Sequence, residues 1–227
     1  MTSLAAFYNS SVGKKVLMSL TGLFLCTFLV EHVVGNLLVF KGPEVFNAYS
    51  EFMVANPVIR TVEFILFAAL FIHPFFGFVV WLQNRRTRPQ DYRVYRLKDN
   101  TPLAARHTMF TGSVVLFFLV VHLRMFFIPT RFAEVKPSSY ALVQEAFSNA
   151  WYTGFYIVAL VILGYHLRHG FQSAFQTLGL RNKQYAGLID LVAAVFWLVI
   201  PLGFATIPVY FYYFQRLAPA VMAVGAH

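Results

Sequence analysis

Four histidines sit inside long apolar runs: His32, His73, His122 and His166. A histidine in hydrocarbon is costly, and it marks a functional site by default. One alone can serve as an interhelical hydrogen-bonding group. Four, one in each of four successive runs, need a common explanation. Imidazole is the commonest metal ligand among side chains. Two imidazoles on opposite faces of a haem fill both axial positions, leave no site for oxygen and favour electron transfer. The pattern points to two haems, each clamped between two histidines.

Counting along the runs pairs them. His32 follows Lys14 by eighteen residues, and His122 follows Ala104 by eighteen. Both therefore lie roughly 27 Å along their helices. His73 precedes Gln83 by ten residues and His166 precedes Leu178 by twelve, which puts both roughly 15–18 Å from the other end. Two depth-matched pairs result, His32 with His122 and His73 with His166, in layers about 10 Å apart. Gly35 and Gly77, one turn beyond His32 and His73, are expected to open a gap for a flat ring on the ligand's own face. Pro74 is expected to bend its helix.

Five apolar segments must position these residues: Lys14–Val39, Pro57–Gln83, Ala104–Ile128, Ala150–Leu178 and Gly187–Tyr213. Each is long enough for a hydrocarbon core of about 30 Å at about 1.5 Å per residue. Hydrophobic residues make up 59% of the 227, above the roughly 45–50% of soluble domains. No polar block of similar size occurs, so the expected architecture is all-α, one membrane domain over residues 1–227 with five transmembrane helices. Pro201 and Pro208 are expected to kink the fifth. Lys14 and Lys15 before an apolar run resemble a signal peptide, but the run is too long and no small-residue cleavage site follows.

The net charge of +9 belongs to loops beside the spans, where it sets topology and meets lipid headgroups rather than nucleic acid. With the N-terminus inside, twelve basic residues fall inside (Lys14, Lys15, Arg85, Arg86, Arg88, Arg93, Arg96, Lys98, Arg106, Arg168, Arg181, Lys183). Six fall outside (Lys41, Arg60, Arg124, Arg131, Lys136, Arg216). This bias predicts a cytoplasmic N-terminus and an external C-terminus. The basic loop Asn84–Ala105 is expected inside, as a docking surface. Outside, Val45, Phe46, Tyr49, Phe52 and Met53 make one helical face, a short helix lying on the membrane surface. Ser138 or Ser139 caps a second outer helix over Tyr140–Asn149.

Other chemistries fit less well. A proton relay normally brings intramembrane carboxylates, and Glu31, Glu63 and Asp190 all lie near helix ends. Zinc needs ligands at short spacing on one face. The single Cys26 can hold neither an iron–sulfur cluster nor an internal disulfide. No C-x-x-C-H attaches haem covalently, and no nucleotide-binding glycine loop is present. His169, one turn after His166, is the rival ligand, and His166 matches His73 better in depth. Arg168 and His169 then lie where haem propionates emerge, with Ser19 and His107 as further candidate contacts. His227 has no visible role.

The stretch GYHLRHGFQSAFQTLGL, Gly164 to Leu180, and the stretch SLTGLFLCTFLVEHVVGNLLVF, Ser19 to Phe40, closely resemble signatures of the dihaem cytochrome b membrane anchors of succinate dehydrogenase and fumarate reductase. The resemblance covers essentially the whole chain. It implies that His32 and His122 bind the distal haem b, and His73 and His166 the proximal one. It also implies flavoprotein and iron–sulfur partner subunits on the inner face of a bacterial cytoplasmic membrane. Electrons from succinate, in the tricarboxylic acid cycle, would pass to a quinone, commonly menaquinone. Glu44, Glu51 and Glu63 lie near the outer face, where they are expected to be surface charges or to serve protonation. Some fumarate reductase anchors carry a glutamate for proton transfer two residues before the fourth-helix histidine, where this chain has Gly164. A dihaem cytochrome b of a hydrogenase or formate dehydrogenase is the competing expectation, and a haem-free transporter or proton channel is a third.

Overall fold

The computed structural model describes residue 6, residues 10–86 and residues 107–214. Most of the basic loop, Arg216, His227 and the C-terminus lie outside the described residues. Every regular element among those described is helical, and five helices are long and apolar enough to cross a membrane: Ser11–Lys41, Pro57–Arg86, Thr108–Phe132, Ala150–Thr177 and Ala186–Phe214. They carry large exposed side chains such as Phe64, Phe71, Phe110 and Phe117. Apolar area on that scale over a bundle's exterior is a lipid-facing belt.

Local chemistry sets the ends. Ser10 Oγ accepts from Gly13 N at 3.0 Å and starts the first span. That span ends in a 3₁₀ turn, Leu38–Lys41. Gly42 follows at φ +101°, a backbone that glycine adopts freely, and Pro43 opens a short helix, Pro43–Ala55. Asn149 Oδ1 caps the fourth span, accepting from Trp151 N and Tyr152 N. At its other end Leu180 N bonds Phe175 O and Gly179 N bonds Gln176 O, with Gly179 at φ +71°. This is a Schellman stop.

Three spans contain internal prolines and stay helical through them. The second span stays helical through Pro74. In the third, a π-helical turn, Leu123–Phe127, follows His122, and Pro129 opens the next α-helical turn. The fifth repeats this with a π turn at Val195–Val199 before Pro201. A proline cannot donate to the carbonyl four residues back and crowds it. The residue before it therefore reaches one further: Ile128 N to Leu123 O and Ile200 N to Val195 O. Absorbing Pro129 this way carries the third span to Phe132, beyond the end at Ile128 expected from sequence. Pro201 also frees the Trp197 carbonyl, which turns toward Gly164 of the fourth span. A Cβ at Gly164 would sit 2.6 Å from that oxygen, so a side chain there would force the two spans apart.

The first span packs against the second, fourth and fifth, and the fourth also packs against the third. Two short helices, Pro43–Ala55 and Ser139–Ser148, fold over one end of the bundle. They join through Ser50 and Ser139 (2.7 Å), and Asn47 Oδ1 accepts from Tyr140 N (3.0 Å). Phe46, Val143 and Phe147 enter one core with Val39, Tyr156, Ile207 and Phe211. The apolar face expected on the first short helix is thus divided: Phe46 is buried in the bundle, while Val45 and Phe52 stay exposed.

Candidate functional site

Each histidine of the four faces the partner that counting gave it. The His32 and His122 rings lie 5.8 Å apart, centroid to centroid, at 84°. Those of His73 and His166 lie 6.3 Å apart at 86°. Two in-line bonds of about 2 Å to a shared metal, with each ring centre about 1 Å behind its nitrogen, place centroids roughly 6 Å apart. Both pairs have that spacing. Among the described residues no three His, Cys, Asp or Glu converge as a metal cage. A metal between either pair must bring its other ligands with it, as a porphyrin does.

The second nitrogen of each ring is also engaged. His73 Nδ1 lies 3.0 Å from the Met18 carbonyl. A carbonyl only accepts, so the proton is on Nδ1 and the Nε2 lone pair is free. His166 Nδ1 lies 3.3 Å from Thr111 Oγ1, whose own proton goes to the Thr108 carbonyl at 3.1 Å. The threonine oxygen is therefore an acceptor for His166, which again frees Nε2. His122 Nδ1 lies 2.7 Å from the Tyr156 hydroxyl, and His32 Nδ1 lies 3.3 Å from Asn36 Nδ2. Met18, Thr111 and Tyr156 each offer an oxygen that can accept the Nδ1 proton, which fixes the ring and raises the basicity of the ligating nitrogen. The Asn36 amide nitrogen only donates and gives His32 no such acceptor. The surroundings are dry and aromatic: Phe28 and Phe204 contact His32, while Phe118 and Phe126 contact His122.

Two glycines make room for the second pair. A Cβ on Gly22 would stand 3.0 Å from His73 Cε1, and one on Gly112 would stand 3.4 Å from His166 Cε1. The sequence holds a signal for them that the counting missed. Thr21-Gly22 precedes His32 by the same spacing at which Thr111-Gly112 precedes His122, T-G-x₉-H in both the first and third spans. Each of these spans contributes a histidine to one pair and buttresses a histidine of the other. Ten residues separate the two levels, or about 15 Å along a helix. The expected 10 Å was too short because it measured from helix ends. Those ends are not level: the second span runs on to Arg86 and the third begins at Thr108.

The other expected positions fall out differently. The gap expected at Gly35 is taken by the Tyr49 hydroxyl, which occupies the place of a Cβ, and Gly77 lies against Met18. Tyr49 donates to Glu31 at 2.5 Å. Burial, and then that hydrogen bond and the charge behind it, push its phenol well above the ordinary range. Glu63 accepts from Arg60 and Arg131, both at 2.7 Å, while Glu44 and Glu51 are exposed. Ser19 is buried next to Met18 in sequence. Arg168 stacks over the Trp197 ring at 5.3 Å. His169 is half-buried, and His107 is exposed at the start of the third span.

The chain is 28% identical over 175 residues to the succinate dehydrogenase cytochrome b558 subunit of Bacillus subtilis (strain 168), an alignment covering 73% of this chain and 82% of the relative. No family model matches it, and no solved structure does. With five apolar spans and this similarity, the chain is a multi-pass bacterial membrane protein, similar over most of its length to a succinate dehydrogenase cytochrome b subunit.

Proposed function

We propose that the chain is the membrane anchor of a succinate:quinone oxidoreductase. In this reading His32 and His122 hold one haem b and His73 and His166 a second, and electrons pass from an iron–sulfur subunit to a quinone of the menaquinone class. The observation that carries it is the pairing: two sets of imidazoles on four spans, 5.8 and 6.3 Å apart and nearly perpendicular. The relative's name, a succinate dehydrogenase cytochrome b558 subunit, supports haem b and the partner subunits. Held by these imidazole pairs, a haem would supply one-electron chemistry with no open site for oxygen.

The chain's own residues do the rest. Met18 and Thr111 keep the protons of His73 and His166 on Nδ1. The aromatic walls keep water from the His32–His122 pair, and the helices hold the two sites apart along the bilayer normal. The N-terminus lies in the cytoplasm and the C-terminus outside. The Arg85–Arg86 end faces the flavoprotein and iron–sulfur subunits, which bring electrons to the nearer pair, His73–His166.

Purifying the tagged chain from its own membranes tests this. A flavin-bearing subunit and an iron–sulfur subunit should come with it, and succinate should reduce b-type absorbance bands. Bands that stay oxidised with succinate but respond to hydrogen or formate would move the chain to another respiratory dehydrogenase.

A further inference from the structure

The four histidines differ in what holds their second nitrogen. A backbone carbonyl and a threonine oxygen serve the His73–His166 pair, at 3.0 and 3.3 Å. The shortest of the four contacts is His122 Nδ1 to the Tyr156 hydroxyl, at 2.7 Å. Tyr156 is 6% exposed. Its ring is held edge-on by Phe118 (4.8 Å) and Phe147 (4.9 Å), and the Tyr152 hydroxyl donates to its oxygen at 3.3 Å. This rigidity fixes the oxygen opposite His122.

We propose that Tyr156 is a positioning residue that lowers the electron affinity of the His32–His122 site through His122. The inference rests on His122 being an iron ligand. Ligation through Nε2 requires the proton on Nδ1, so His122 donates and the phenol oxygen accepts. A ligand that shares its N–H proton with an acceptor is more basic. A more basic ligand stabilises ferric iron over ferrous iron. In a dry aromatic setting the hydrogen bond is not diluted by water. The weaker Thr111 contact does the same for the other site to a smaller degree.

The test is a redox titration of the haem bands in the membrane complex. It compares the native protein with Tyr156→Phe and Thr111→Val, and assigns the components by which one His122→Ala removes. Tyr156→Phe should retain both haems and make the His122 component easier to reduce. The expected change is up to about tenfold in the one-electron equilibrium constant, or about 59 mV, and the other component should stay in place. Thr111→Val should move only the other component, in the same direction and by less. Tyr152→Phe removes a donor that competes for the Tyr156 oxygen, so it should make the His122 component slightly harder to reduce. This opposite sign decides the matter if Tyr156→Phe does not assemble. An unmoved or lowered His122 component in Tyr156→Phe overturns the proposal. So does an unmoved or raised one in Tyr152→Phe. A native protein without haem, or His122→Ala with both haems kept, overturns the ligand assignment instead.

Discussion

At the scale of single residues, glycines decide where side chains of the site can stand. Gly164 meets the Trp197 backbone oxygen, which cannot swing away as a side chain would. A Cβ 2.6 Å from it forces the fourth and fifth spans apart. Gly164→Ala should cost about 1–3 kcal/mol, the usual range for overpacking, read as a lower midpoint of thermal unfolding in detergent. Gly22 and Gly112 are graded in the same way. The tighter contact is at Gly22, 3.0 Å from His73 Cε1, against 3.4 Å at Gly112. Gly22→Ala should therefore disturb the absorbance of the His73–His166 haem more than Gly112→Ala does, with the other haem unaffected in both. Equal, unperturbed spectra would mean that the ring has slack. The histidines were legible in the sequence because their cost in hydrocarbon singles them out. Their partners were not. A backbone carbonyl such as Met18 leaves no residue-type signal, and Tyr156 is one of twelve tyrosines. Gly35 misled for a related reason: helical spacing gives the face of a residue, but not which neighbour fills the space beside it.

At the scale of elements, the end of the bundle above the His32–His122 pair is held by polar ties. Arg131 at the end of the third span donates to the Val54 carbonyl at 3.1 Å and to Glu63 at 2.7 Å. It thereby joins the last turn of the Pro43–Ala55 helix to the first turns of the second span. Its side chain is 11% exposed and that of Glu63 is 21% exposed, so water screens the pair little. Arg131→Ala should cost about 1.5–3 kcal/mol, the range for hydrogen bonds to charged groups. It should also speed amide hydrogen exchange in the short helix more than in the spans. Uniform exchange would show that the helix is held by Phe46 instead. The short helices and their caps could be read from sequence because Ser138 and the apolar face are local signals. The π turns at Leu123–Phe127 and Val195–Val199 could not, since the cause of each lies in a proline two residues beyond it.

At the scale of the whole molecule, the first and third spans play matching parts. Each carries a histidine of one pair near the capped end and a Thr-Gly step beside a histidine of the other pair, about 15 Å away along the helix. The helix count and the pairing were legible because apolar length and depth are both linear in sequence. The level difference was not, because it depends on how helices of unequal length slide against each other. The central claim is that the chain holds two haems between these pairs, with His166 rather than His169 on the second. Haem quantitation on purified His166→Ala and His169→Ala tests it most directly. The account predicts one haem in His166→Ala, with the His32–His122 component retained, and two haems in His169→Ala. Two haems in His166→Ala with one in His169→Ala would contradict it.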